Sequence, residues 1–232
     1  MEKLEKKEKK EKKEKIICII DNDFYMTLPV IRAIALYRTK VRKDILDSYN
    51  IIFYHICPVS NEDEKIEFNE KKEIYRQRFD DELKDVLSTS ELISGSYCEL
   101  MIELEKSRNI NKESKKIVNM INKSLKDKFE DYNEDNVLFM LDLALEFKAS
   151  DPKKSEDSKA WLGRGVYRII ENKRVLLFTS YYDELKMWEL FKESYEKEYG
   201  VKLSDDVIPM SRSGLNPRGF NTYYGKRILE WD

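Results

Sequence analysis

A continuous apolar run that ends in one carboxylate most constrains the fold of this chain. Residues 137–141 are all apolar, and Asp142 follows them within NVLFMLDLALEF. A run this short is typical of a strand covered on both faces, as in a parallel sheet between two layers of helices. Because a buried carboxylate is costly without a cation or hydrogen bonds, we expect Asp142 at the end of the strand, where the sheet opens to solvent. Ligands bind at that carboxyl edge in open α/β sheets.

Four other apolar or β-rich segments predict strands, and segments with helical spacing alternate with them. Such alternation indicates a parallel sheet with right-handed crossovers, hence an α/β, doubly wound, three-layer domain. We expect five strands in the flavodoxin-like order 2-1-3-4-5. Pro58 near the end of the second strand and Pro209 in the last one are typical of edge strands. The four segments are IICII (16–20), IIFYHICPV (51–59), RVLLFTS (174–180) and VIPM (207–210).

Two regions stand apart from this alternation. Residues 1–15 repeat Glu-Lys-Lys without an apolar face, which predicts a solvated tail, so the folded domain is expected to span residues 16–232. Residues 60–135 are highly charged, and their apolar residues recur in three sets that predict three helices. One crossover needs fewer residues, so we expect a helical insertion between strands two and three that contacts a partner. The sets are Ile74, Phe79, Leu83, Val86 and Leu87; Leu92, Leu100, Met101 and Leu104; and Ile117, Met120, Ile121, Leu125 and Phe129.

Composition excludes several classes of function. The tail carries a charge of +3 and the rest of the chain −5, so the folded body is a poor candidate for binding nucleic acid. Three widely spaced cysteines without a CxxC pair indicate a reducing compartment, and the cytoplasm is the expected location. The single histidine, His55, cannot anchor a multi-histidine metal site and is expected to be structural. No apolar run approaches the ~20 residues of a membrane span.

Acidic and hydroxyl residues end the predicted central strands. In the order 2-1-3-4-5, strands one and three are neighbours, so Asp21, Asp23 and Asp142 would converge at one edge, with Thr179 on the next strand. Three carboxylates in one crevice favour a hard cation, which would also offset their mutual repulsion. The sequence therefore predicts a Mg²⁺ site.

At these positions the sequence resembles the receiver domain of two-component response regulators. In that family the first strand ends in an acidic pair, which IIDND matches here. The third strand ends in the phosphoacceptor aspartate, matched by FMLDLAL, and the fourth ends in Thr or Ser, matched by LLFTSYYDE. The stretch GVYRIIENKRVLLFTSYYDE is similar to the segment between the third and fourth helices of many receivers. The resemblance covers residues 16–59 and 136–231 and leaves 60–135 unmatched.

The resemblance implies a role for each matching residue. Asp142 would be the nucleophile, phosphorylated by a histidine kinase or a small phosphodonor. Asp21 would be a magnesium ligand, and the second acidic place falls to Asn22 or Asp23, with Asp23 favoured. Asp142 would also ligate the metal, as would the backbone carbonyl of Ala144. Thr179 would bind a phosphoryl oxygen and report the modification to the following helix.

One departure from the family leaves alternatives open. Receivers carry a lysine at the end of strand five, whereas this chain reads IPMSRSGLNP, with Arg212 as the nearest cation. The chain is thus expected to be a stand-alone receiver-like signalling module whose output is a protein partner, or a degenerate receiver that binds its partner without phosphorylation. IIDNDFYMTL also resembles the first motif of haloacid-dehalogenase-type phosphatases. In that case Asp21 would be the nucleophile and Asp23 the acid and base.

Overall fold

The computed structural model describes the central sheet, its packed helices and parts of the connections. Every structural statement below concerns these residues. They are 13–21, 30, 49–59, 62–88, 95–104, 109–129, 132–142, 145, 161–179, 184–203, 210–211 and 228.

Six parallel strands form one sheet in the order β3-β2-β1-β4-β5-β6. The central strands are almost wholly apolar and buried on both faces, as expected for a parallel sheet covered by helices. The strands are β1 (Lys13–Ile20), β2 (Tyr49–Val59), β3 (Gly95–Glu103), β4 (Val137–Asp142), β5 (Val175–Thr179) and β6 (Met210–Ser211).

Within the described ranges, four helices have defined bounds between these strands. They are α1 (Glu62–Ser88), α2 (Ile110–Lys128), α3 (Trp161–Ile170) and α4 (Glu184–Tyr199), and a 3₁₀ turn, Glu134–Asn136, precedes β4. The predicted helices at α3 and α4 are confirmed. Gly200 ends α4 with a φ of 66°, and its N–H donates to the carbonyl of Glu196 over 2.9 Å. Among the described helices, none combines the length and the apolar character that a membrane crossing requires.

The helices lie on both faces of the sheet. Residues of α2, α3 and α4 form one apolar cluster with alternate residues of β1 and β4, such as Ile16, Ile20 and Phe139. On the opposite face, the ring of Tyr75 from α1 meets the ring of His55 from β2 at 6.3 Å. The connection from β2 to β3 therefore runs on one face, and those leading to β4, β5 and β6 run on the other. The order reverses between β1 and β4, which makes this a doubly wound α/β fold.

The predicted order of five strands, 2-1-3-4-5, is wrong because one strand was missed. Residues 95–103 were expected to be helical, but β3 pairs with β2 in register from Ile51 with Gly95 to Val59 with Glu103. The segment 60–135 is therefore two successive crossover units rather than a helical insertion. The observed order, 3-2-1-4-5-6, is that of the dinucleotide-binding doubly wound fold, and the flavodoxin-like order is not confirmed.

Two smaller expectations also fail. Pro58 does not lie on an edge strand, because β3 covers the outer side of β2. The first strand begins at Lys13, three residues earlier than predicted, and Lys15 is buried. Pro209 and Arg212 lie outside the described residues, and β6 is seen only at Met210–Ser211.

Candidate functional site at the carboxyl edge of the sheet

Asp21 and Asp142 lie at the carboxyl ends of the neighbouring strands β1 and β4. The last paired residues are Ile20 and Leu141, and the two aspartates are the next residues along each strand. Adjacent strands are about 4.8 Å apart, and paired residues of parallel strands project to the same face. Asp21 is 2% exposed and Asp142 is 4% exposed. The structure thus brings two buried carboxylates together at the point where the strand order reverses.

Both the N–H and the carbonyl of the Asp21 backbone form hydrogen bonds with residues of β2. Its N–H donates to the carbonyl of Ile56 over 3.1 Å, which extends the ladder between β1 and β2 by one bond. Its carbonyl oxygen lies 2.9 Å from Nε2 of His55. Because a carbonyl can only accept, Nε2 carries the proton and donates. Two hydrogen bonds therefore join the residue after the strand to β2.

Asp142 is the last residue of β4 and begins a turn. Its carbonyl accepts a hydrogen bond from the N–H of Leu145 over 3.4 Å, and the side chain of Leu145 is buried in the apolar cluster. On the other side of β4, Phe178 pairs with Asp142. The backbone of Thr179 is therefore one step beyond Asp142 on the adjacent strand. Of the other predicted site residues, Asp23, Ala144 and Arg212 lie outside the described residues.

The carboxylate oxygens at the described part of the site are ligands that suit a hard cation. The structure describes two of the three predicted carboxylates, Asp21 and Asp142. In the part of the chain that the structure describes, no group of three His, Cys, Asp or Glu side chains could hold a metal ion. Asp21 and Asp142 offer oxygen ligands, and Mg²⁺ commonly takes one or two protein carboxylates and keeps several waters. The pair alone therefore matches the usual protein contribution to such a site.

A second group of buried polar side chains lies between α2 and α3, and we call it the helix-interface cluster. It consists of Glu113 and Ser114 in α2 and Arg164 in α3, all at most 3% exposed. Nη2 of Arg164 lies 3.7 Å from Oε2 of Glu198 in α4. A β-carbon at Gly165 would overlap Oγ of Ser114 and lie 3.2 Å from Cγ2 of Ile110, so the two helices approach closely here. The sequence offered one signal for this contact, the glycine within a helical pattern.

The described cysteine of β1, Cys18, is not suited to nucleophilic chemistry. Cys18 is fully buried in β1, and burial raises the pKa of its thiol well above the ordinary value, so the thiolate is strongly disfavoured. Its neighbour across the sheet, Tyr54, is also buried, and its hydroxyl is hydrogen-bonded to Ser124. Cys57 of β2, the residue after Ile56, is also buried and lies in register with Asp21. Asp21 and Asp142 are the two buried carboxylates described at this edge.

The position of His55 is the feature of this site that the sequence did not predict. The residue was expected to be structural, and it is 1% exposed in the core. Its bond to the backbone of Asp21 depends on the register of β1 against β2, which the sequence pattern does not give.

Comparison of the chain with protein-family models, with curated proteins and with solved structures finds no match. The candidate site therefore rests on its own geometry.

Proposed function

We propose that the carboxyl edge between β1 and β4 is a Mg²⁺-dependent phosphoacceptor site of a receiver-like signalling module. Asp142 would be the acceptor and Asp21 a metal ligand. The observation that carries this proposal is the pairing of two buried carboxylates at the reversal of strand order. In open α/β sheets this crevice is where ligands bind.

Electrostatics explains why a cation belongs there. Two carboxylates in register on adjacent strands repel each other, and burial weakens the solvent screening that would relieve them. A divalent ion bound to both side chains would offset this repulsion. Bound Mg²⁺ would supply positive charge to the phosphoryl oxygens during transfer.

The two carboxylates differ in how the backbone holds them, and this difference suggests their roles. The backbone of Asp21 donates one hydrogen bond to β2 and accepts another from it, which suits a metal ligand whose position must be constant. Asp142 ends β4, and its carbonyl accepts a hydrogen bond from the N–H of Leu145. A carboxylate oxygen of Asp142 would attack the phosphorus atom of a phosphoryl group carried by a histidine kinase or a small phosphodonor. The bond between phosphorus and the donor would break, the donor would leave with its electrons, and an aspartyl phosphate would remain.

The neighbours of β1 favour the receiver-like interpretation. Without β3, the sheet reads β2-β1-β4-β5-β6, and numbering these five strands along the chain gives the flavodoxin-like order 2-1-3-4-5. β3 adds one strand at the outer edge of β2. In this proposal Asp23 and Ala144 complete the metal ligands, and Thr179 and Arg212 contact the phosphoryl group. Output would pass to a protein partner, and binding of that partner without phosphorylation is the degenerate form of the same module.

A second candidate is a phosphatase in which Asp21 is the nucleophile and Asp23 the acid and base. The firm placement of Asp21 favours it, because a nucleophile held in a reactive position also gains rate. In that case water would hydrolyse the aspartyl phosphate formed on Asp21, and inorganic phosphate would be released. The two candidates place the covalent bond on different residues.

The deciding experiment identifies the phosphorylated residue. The protein is incubated with acetyl phosphate and Mg²⁺, and the intact mass and modified peptide are measured, with the beryllium fluoride adduct as a second probe. We expect one phosphoryl group on Asp142, lost in Asp142→Asn and kept in the matched control Asp127→Asn, whose side chain is exposed on α2. Modification of Asp21 with phosphate release would establish the phosphatase instead. Absence of any adduct and of Mg²⁺ binding would contradict both.

A further inference from the structure

The ladder between β1 and β2 has a gap next to the candidate metal ligand Asp21. In a parallel ladder, a residue that donates to the carbonyl of residue j−1 accepts from the N–H of residue j+1. The N–H of Asp21 donates to the carbonyl of Ile56, so the carbonyl of Asp21 should accept from the N–H of residue 58. That residue is Pro58, which has no N–H. The regular bond cannot form.

The side chain of His55 occupies the place of the missing donor. Nε2 of His55 lies 2.9 Å from the carbonyl oxygen of Asp21, and the bond is buried. His55 pairs with Ile19, two residues before Asp21, so its side chain reaches forward along the ladder to the end of β1. Tyr75 from α1 packs against the imidazole, with the two rings at 70° to each other. Tyr75 thus packs against the imidazole of His55, and Nε2 of the imidazole faces the backbone of Asp21.

We propose that His55 is a positioning residue for the Asp21 carboxylate, and this inference rests on the proposed metal-binding role of Asp21. His55 replaces the backbone donor that Pro58 removes, and so keeps the end of β1 extended and the carboxylate of Asp21 in register with Asp142. Residues that orient metal ligands through hydrogen bonds typically contribute 10- to 100-fold to metal affinity. His55 would contribute through Asp21 without touching the ion.

The test separates the hydrogen bond from the packing of the ring. His55→Phe keeps a ring and removes the donor, whereas His55→Gln keeps a donor on a side chain of similar reach. Pro58→Ala restores the backbone N–H that the regular ladder would use. The dissociation constant for Mg²⁺ is measured by calorimetry, and the melting temperature is measured without Mg²⁺. As a matched control, Phe53→Leu changes a buried residue on the same face of β2, opposite Ile17 and further from the site.

We expect His55→Phe to raise the dissociation constant for Mg²⁺ about tenfold or more. His55→Gln should recover part of the affinity, and Pro58→Ala added to His55→Phe should recover most of it. Phe53→Leu should lower the melting temperature with Mg²⁺ affinity unchanged. If His55→Phe does not fold, His55→Met takes its place, because its flexible apolar side chain also lacks a strong donor.

Three results would overturn the inference. Wild-type affinity in His55→Phe would show that the bond does not position Asp21, while the proposed site would stand. Equal losses in His55→Phe and His55→Gln, without recovery by Pro58→Ala, would show that the ring acts by packing alone. Absence of Mg²⁺ binding by the wild-type protein would overturn both this inference and the proposed function.

Discussion

The carboxyl edge of the sheet and the helix-interface cluster both bury charged side chains, but they differ in the signs of the charges. At the edge, the carboxyl groups of Asp21 and Asp142 follow paired residues of adjacent strands. In the cluster, Arg164 and Glu113 belong to two packed helices, and Oε2 of Glu198 in α4 lies 3.7 Å from Nη2 of Arg164. Opposite charges attract within the fold, whereas two carboxylates repel each other when both are ionised.

This difference distinguishes a structural cluster from a binding site. Neutralising Arg164 in the cluster should remove an attraction. Neutralising one charge at the edge should remove a repulsion. The same type of substitution is therefore expected to change stability in opposite directions at the two places, and the following predictions test this contrast from the largest expected effect to the smallest.

Arg164→Met should cause the largest loss of stability. The substitution removes a buried cation that lies 3.7 Å from Glu198, and breaking such a pair typically costs about 3 kcal/mol or more of unfolding free energy. Urea unfolding measures the effect. The matched control is Arg168→Met, one turn later on α3, where the exposed ion pair with Glu171 contributes less than about 1 kcal/mol. Equal losses in the two variants would contradict the cluster's structural role.

Gly165→Ala tests the close approach of α2 and α3. The added β-carbon would overlap Oγ of Ser114, and such overpacking costs about 1–3 kcal/mol. Adding Ser114→Ala should restore part of the loss, because it removes the overlapping oxygen, and urea unfolding of the single and double variants gives their coupling. A double variant no more stable than Gly165→Ala would show that the contact is not the cause.

Asp142→Asn should raise stability in the absence of Mg²⁺. Removing one of two neighbouring like charges relieves repulsion, and we expect a gain of about 1 kcal/mol in unfolding free energy. The wild-type protein should gain stability from added Mg²⁺, and the variant should gain much less. Thermal unfolding with Mg²⁺ and with chelator measures both effects. A loss of stability in the metal-free variant would place the edge in the same class as the helix-interface cluster.

The smallest effect is expected at high pH, near the helix-interface cluster. Burial and then the charge of Glu198 raise the pKa of Tyr199 to about 12, whereas an unfolded tyrosine titrates near about 10. The folded state therefore binds the proton of Tyr199 more tightly than the unfolded state does, and this difference stabilises the fold. The stabilisation is complete below pH about 10 and is lost as pH rises towards about 12. Arg164 lowers this pKa, so Arg164→Met should raise it further. A phenolate absorbance titration of the wild-type protein, of Tyr199→Phe and of Arg164→Met measures these shifts; an unchanged titration in Arg164→Met would contradict the placement of Arg164.

The central strands could be predicted because their signals are strong. The run that forms β4 is apolar and buried at all five positions before Asp142. β3 could not be recognised because it is an outer strand, and most of its described side chains are only partly buried. Leu100 and Met101 in the strand and Leu104 directly after it have spacings that also occur in helices. Missing this one strand made the predicted strand order wrong.

The site was predicted in part for a similar reason. The meeting of Asp21 and Asp142 follows from a general property of parallel sheets, in which neighbouring strands end at the same edge. The contact of His55 with Asp21 depends on which residue of β2 stands opposite each residue of β1, and a one-residue shift of register would remove it. Pro58 within a strand pattern was the available signal, but it was interpreted as the mark of an edge strand.

The proline inside β2 also has a consequence for motion. Amide hydrogens in a sheet exchange with solvent when the local structure opens, and the ends of ladders open most readily. Among the described residues, the N–H of Asp21 forms the last backbone bond from β1 to β2, and the ladder bond from residue 58 to its carbonyl cannot form because that residue is Pro58. Local opening of the sheet at this edge would therefore involve the imidazole of His55 as well as the backbone.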